Sequence, residues 1–176
     1  MNHLKMEHQD SLQESRIEQY VRLILMRIEA LATLLAPPLL RIALALPFFR
    51  SGLTRWDGFP SLSIATLYLF ENQFKLHVFG AAYAFPAPDT IAWIVACAEI
   101  GLPILLVLGL ATRCAALGLL VMTGVIQLVF PDGWANFHLY WASLAMAIVA
   151  IGPGPVSLDR VIAWWLGAQG RDKSAP

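Results

Sequence analysis

Twenty consecutive residues, Ile91 to Leu110 (IAWIVACAEIGLPILLVLGL), include a single side chain that is charged at neutral pH, Glu99. At ~1.5 Å per residue such a run matches the roughly 30 Å hydrocarbon core of a bilayer, so it is expected to cross a membrane as a helix. The rest of the chain agrees. Hydrophobic residues make up 58% of its 176 residues, more than an ordinary soluble domain carries. Lys+Arg 12 and Asp+Glu 12 cancel, and no basic stripe with interleaved aromatics appears, which argues against nucleic acid as a partner.

Three further spans are expected around this one. "PPLLRIALALPFFRSGLTRW", about 37–56, opens on Pro37 and Pro38, which suit a helix's first turn and mark a new segment. "ATR" (111–113) is a tight turn into a third span at 114–130, and "PDGW" (131–134) turns the chain into a fourth at 137–152. Links this short require antiparallel neighbours. The fold class that follows is an all-α membrane protein, a four-transmembrane-helix antiparallel bundle over 37–156. Residues 1–10 read as a flexible tail. Residues 11–36 read as an amphipathic helix with a Ser11/Glu14 capping box, suited to lying on a membrane surface or on protein. Residues 57–90 read as a loop with a short interfacial element, and 157–176 as a short C-terminal amphipathic helix and tail.

Four spans put both termini and the 111–113 turn on one side. That side carries Lys5, Arg16, Arg22, Arg27, Arg113, Arg160, Arg171 and Lys173, against Arg55 and Lys75 on the other, so the termini are expected to be cytoplasmic.

A charge near the centre of a membrane helix costs about 2.5–3.5 kcal/mol, so Glu99 needs a partner. On a helical projection it shares a face with Ala92, Ala96 and Pro103, small residues that let another helix approach. Pro103 also withholds the N–H that Glu99's carbonyl would otherwise accept. Two arginines of the first span are candidates. At ~1.5 Å rise per residue Arg41 lies about 6 Å in from the cytoplasmic end, Arg50 about 20 Å and Glu99 about 16 Å. Depth favours Arg50, while helix tilt and side-chain length keep Arg41 open. Gln127 and His138, toward the outer end, are candidates to join the cluster, and Arg55, Arg113 and Trp134 are the candidates in the loops. Such a cluster either pairs charges to fix helix packing or forms a pocket between helices that binds an anion or a quinone headgroup or relays a proton. Histidines at 3, 8, 77 and 138 show no metal-ligand spacing. Cys97 and Cys114 form no CxxC motif and read as small hydrophobes.

The pieces "LRIALALPFFRSGLTRW", "PDTIAWIVACAEIGLPILLVLGLATRCAALGL" and "GPGPVSLD", in this order, resemble the DoxX family of small bacterial membrane proteins over about residues 38–160. The resemblance implies a four-helix transmembrane bundle in a bacterial inner membrane. It also implies that Arg41, Glu99 and Arg113 match recurring polar positions of the family. Family members are linked to membrane oxidoreductase assemblies, including a thiosulfate:quinone oxidoreductase and complexes against oxidative or thiol stress. The expectation is therefore a membrane subunit or anchor of an oxidoreductase complex, with a partner subunit carrying the electron-transfer cofactor and quinone as the cofactor compatible with the site. A homo-oligomer is also compatible. A small solute or proton transporter with a pocket between the helices, and a non-catalytic scaffold, are the alternatives. Thiol-handling relatives use a cysteine pair, which Cys97 and Cys114 do not supply.

Overall fold

A computed structural model describes the backbone of residues 2–172 and the side chains of residues 16–166. The capping expectation at Ser11 and Glu14 falls outside the described side chains. The chain divides into two units, Met1–Ala36 and Pro37–Pro176.

The first unit is helical from Asn2 within α1 (Asn2–Leu53). Its Ile17, Val21, Ile24, Ile28 and Leu31 recur at intervals of four and three residues, and all are exposed. The backbone keeps helical geometry at Pro37 and Pro38, where the sequence suggested a new segment, and also at Pro47. A proline removes one N–H but leaves its own carbonyl free to accept, and membrane helices tolerate it where a neighbouring group re-satisfies the ladder. The Pro37 carbonyl accepts from Arg41 Nε at 3.4 Å.

The second unit is the bundle. After the end of α1 come a hairpin of β1 (Trp56–Gly58) and β2 (Ser61–Leu62), then α2 (Ile64–Tyr68) with a wider π turn over Leu69–Gln73, and a second hairpin of β3 (Lys75–Val78) and β4 (Ala81–Ala84). The long helices α3 (Pro88–Leu108) and α4 (Thr112–Val129) follow. Short helical turns over Pro131–Gly133 and Trp134–His138 lead into α5 (Leu139–Ile151), and α6 (Leu158–Asp172) closes the chain.

Local chemistry sets these boundaries. α3 opens with Pro88 at its first position and Asp89 in its first turn, both suited to the positive end of a helix. It ends at Gly109, whose φ of 70° lets the Gly109 and Leu110 N–H groups fold back onto Leu106 and Leu105. The two hairpins replace the loop expected for 57–90. Phe79 and Gly80, both at positive φ (49° and 81°), form the two-residue turn that pairs Val78 with Ala81 and carries the register back to Lys75 and Ala84.

Leu44, Phe48, Leu106, Leu119 and Ile148 form the buried core with Ala45, Ala115, Ala116 and Ala145, and the alanines allow close helix approach. Leu39, Ile42, Ile104, Val121 and Met146 point outward and are exposed. Four stretches are long and apolar enough to cross a membrane: Arg16–Leu53, Pro88–Leu108, Thr112–Val129 and Pro131–Ile151. The turns over 131–138 lengthen the fourth beyond its expected start at 137. Helices that turn large apolar side chains outward from a buried core are solvated by lipid, and the molecule is a multi-pass membrane protein.

Candidate functional site

The second unit has two ends of different character. At the cap end lie the hairpins and the 130–138 turns, and at the turn end lie residues 109–112 and 152–158.

Glu99 belongs to the cap end. Within α1, the stripe Arg41, Leu44, Phe48 and Ser51 runs at helical spacing toward Arg55 in the turn just after the helix, and α1 meets α3 where Gly52 faces Glu99. A Cβ at Gly52 would come within 2.8 Å of Ile100 Cγ1 and 3.0 Å of the Glu99 backbone. Two helices can touch here because the glycine has no side chain. Arg55, one helical turn past Ser51, then reaches the carboxylate. Its Nε donates to Glu99 Oε2 at 2.9 Å and its Nη2 to Oε1 at 3.2 Å, while Ser51 Oγ donates to Oε1 at 3.0 Å. A bidentate, charge-assisted pair with a third donor offsets the desolvation of a carboxylate whose side chain is 3% exposed. The guanidinium also lies over the Phe70 ring, 5.7 Å from its centre.

Neither of the arginines favoured by depth or by family pattern makes this pair. Arg50 is exposed, one residue before Ser51 and so about 100° around the helix from it. Arg41 lies at the turn end.

Beside the pair a cavity of about 780 Å³ opens between α3, α4 and the cap. Phe70, Phe74, Leu102, Met122, Ile126 and Trp141 supply its apolar wall. Arg55 and Ser51 line it, whereas Glu99 is not among the lining residues: the carboxylate holds the cation that faces the space. Polar groups return at the His138 wall, with Asp132 and Asn136. His138 is 3% exposed. Its Nδ1 lies 2.6 Å from Gln127 Oε1, and Gln127 Nε2 donates to the Pro131 carbonyl at 2.9 Å. The imidazole packs against Trp141, ring centres 5.5 Å apart, and against Gly133, where a Cβ would come within 2.5 Å of the ring. Gln127 and His138 thus meet each other, apart from Glu99. Thr123 turns its hydroxyl back to the Leu119 carbonyl at 2.7 Å, and Trp134 is exposed and does not line the cavity.

The turn end is closed by Arg41 and Asp159. Arg41 is 2% exposed and donates to the Val156 and Pro37 carbonyls, while its Nη1 has no hydrogen-bond partner among the described residues. Asp159 caps α4, accepting from the Ala111 and Thr112 N–H groups at 2.7 and 2.9 Å and from the Thr112 hydroxyl at 2.8 Å. Burial works to raise the Asp159 carboxyl. The bonds from Thr112 and Ala111 and the nearby Arg41 charge together outweigh it, so the group is held below the usual carboxylate range. Arg113 is exposed and lies beside Gly152.

Sequence reasoning passed over Ser51 and Asp159. The signal for Ser51 is its spacing of four residues from Arg55 on one helix face. For Asp159 it is the S-x-D start of α6, which says nothing about a cap made to another helix. Among the described residues no cluster of His, Cys, Asp and Glu could hold a metal ion, and Cys97 and Cys114 are free.

Comparison with curated proteins gives no match, and comparison with solved structures gives none. The DoxX family model matches residues 36–132, a stretch that contains Arg41, Ser51, Arg55, Glu99 and Gln127 and ends six residues before His138. With more than half of its length matched, this chain belongs to the DoxX family.

Proposed function

We propose that this protein is a membrane subunit of an oxidoreductase complex that receives a quinone-like headgroup in the cap-end cavity and anchors the partner that carries electrons. The observation that supports this most is the cavity itself. It is large enough for a substituted ring, apolar along most of its wall, and supplied with oxygen-directed groups at Arg55, Ser51 and His138. Those residues fit a quinone: its carbonyl oxygens accept hydrogen bonds, and Arg55 donates them through the edge of its guanidinium that Glu99 and Ser51 leave free. A bound quinone would supply two-electron, two-proton chemistry. The chain's own part is to exclude water with Phe70, Phe74 and Trp141 and to orient the ring with Arg55, which Glu99 and Ser51 hold in place.

The excess of basic residues flanking the termini and the 111–113 turn supports cytoplasmic termini in a bacterial inner membrane, with the cavity toward the outer face. A transporter would be favoured by a helix broken at Pro103, and α3 stays helical through that residue.

The test is mass spectrometry of the tagged protein extracted gently from its own membrane, with Ala98→Phe beside it to fill the cavity. The expected result is a quinone-sized molecule and an oxidoreductase partner with the unaltered chain, and loss of the small molecule alone with Ala98→Phe. A ligand-free chain without partner overturns the proposal.

A further inference from the structure

The cavity's two polar walls have opposite hydrogen-bonding polarity, and this decides which form of a ligand each will take. The assignment starts at the Pro131 carbonyl, which can only accept. Gln127 must therefore present its amide NH2 to that carbonyl, at 2.9 Å, which leaves its oxygen facing His138 Nδ1 at 2.6 Å. An amide oxygen also only accepts, so the proton of the His138 ring sits on Nδ1. No carboxylate hydrogen-bonds to the ring among the described residues, and in a neutral imidazole the second nitrogen is a bare acceptor. Nε2 has no hydrogen-bond partner among the described residues, and it lies beside Gly133, which lines the cavity together with His138. Trp141 on one side and Gly133 on another hold the ring in this orientation. At the other wall the polarity is reversed. Arg55 commits Nε and Nη2 to Glu99 and Ser51, while Nη1 has no such partner among the described residues and has only hydrogens to offer.

We infer that His138 selects for an aromatic hydroxyl: the cavity binds a lipophilic phenol or hydroquinone in preference to the same ring without an O–H. The inference rests on the cavity reading above and deepens it. Arg55 accommodates any oxygen, so it does not discriminate between a carbonyl and a hydroxyl. At His138 a fully oxidised ring would place a carbonyl lone pair against the Nε2 lone pair, whereas a hydroxyl donates to it. Gln127 acts through His138 as a positioning residue, since it fixes which nitrogen is bare.

The test uses 4-nonylphenol and its methyl ether 4-nonylanisole, two probes of nearly equal apolar surface of which one can donate. Binding to the detergent-solubilised full chain is expected to favour the phenol by about tenfold, the size of one well-made hydrogen bond. His138→Phe should bind both probes with the ether's affinity. Gln127→Leu, which no longer fixes the proton on Nδ1, should lose most of the preference. Equal binding of both probes to the unaltered chain overturns the inference and leaves the cavity reading standing. No binding of either overturns both. Should His138→Phe fail to fold, 15N NMR of the unaltered His138 ring, with the other three histidines replaced, decides: a protonated Nδ1 and a bare Nε2 that shifts on adding phenol are expected, and the opposite tautomer refutes the assignment. A prenylated hydroquinone that displaces nonylphenol at much lower concentration identifies the membrane pool as the natural source. Equal potency points to a small phenol.

Discussion

Arg41 in α1 and Arg55 in the turn just after it lie fourteen residues apart, yet the chain uses them in opposite ways. Arg41 is wrapped by backbone carbonyls at the turn end, with Asp159 nearby as its counter-charge. Arg55 takes a bidentate carboxylate at the cap end and keeps one edge on an apolar cavity of about 780 Å³. The first arrangement ties α1 and the 154–159 segment together, next to the α3–α4 turn. The second holds a cation at the wall of a space large enough for a ligand. The contrast shows that a buried charge in a membrane bundle is informative through what its free edge faces, more than through the cost of burying it.

The largest expected effect breaks the cap end. Glu99→Leu leaves Arg55 buried without its carboxylate and should cost about 3–5 kcal/mol, whereas Arg55→Leu added to it should restore most of the loss by removing the stranded charge. Thermal unfolding in detergent of the two single variants and the double variant measures this coupling. A double variant no more stable than Glu99→Leu alone would show that the pair does not act as a unit. Ligand binding should stay lost in the double variant even where the fold recovers.

At the turn end the corresponding change is Gly109→Ala. The left-handed backbone alone costs about 1–2 kcal/mol for a residue with a Cβ, and that Cβ would overlap Arg41 Nη1 and approach Ser157 Cβ to 2.7 Å. The variant should unfold at lower temperature, and its folded fraction should still bind the cap-end ligand with unchanged affinity. A weakened affinity would join the two ends and dissolve the contrast. Asp159→Ala removes the α4 cap and should cost about 0.5–2 kcal/mol. Asp159→Asn supplies the pH signature. Because the folded carboxyl lies below its ordinary value, its contribution is fully present above the unfolded value and disappears as pH falls through the lower, folded one. Unfolding measured along a pH series should therefore show the wild-type advantage over Asp159→Asn shrinking below about pH 4.

Much of this architecture can be read from the residues themselves. α3 and α4 are legible because each is an unbroken apolar run and G-L-A-T-R leaves no room for anything but a reversal between them. The inward face of α3 is legible too, since Ala92, Ala96, Glu99, Pro103 and Leu106 repeat at helical spacing, and all five are buried. The hairpins over 56–84 are not, because strands of two to four residues carry too few alternations to stand out from a loop. The partner of Glu99 was hidden for a different reason. Rise per residue fixes depth but not direction around the axis, and depth alone pointed to Arg50. The pairing of Gln127 with His138 depends on the wide turn over Trp134–His138, which carries His138 inward without a local sequence pattern to announce it.

Arg50 therefore offers the smallest effect and a sharp control on the contrast. It lies between Arg41 and Arg55 in the chain, has the same side chain and nearly the depth of Glu99, but it is exposed and stands off the stripe that leads from Arg41 to Ser51. If depth in the membrane governed the role of these arginines, Arg50→Leu would be as damaging as loss of either neighbour. If the free edge governs, the substitution removes a group that touches neither Glu99 nor the Val156 carbonyl, and stability should change by no more than about 0.5 kcal/mol. Unfolding temperature and phenol affinity, measured side by side with Glu99→Leu and Gly109→Ala, should both match the unaltered chain. A large loss in either would mean that position along the helix, and not the surroundings of the guanidinium, sets what an arginine does in this bundle.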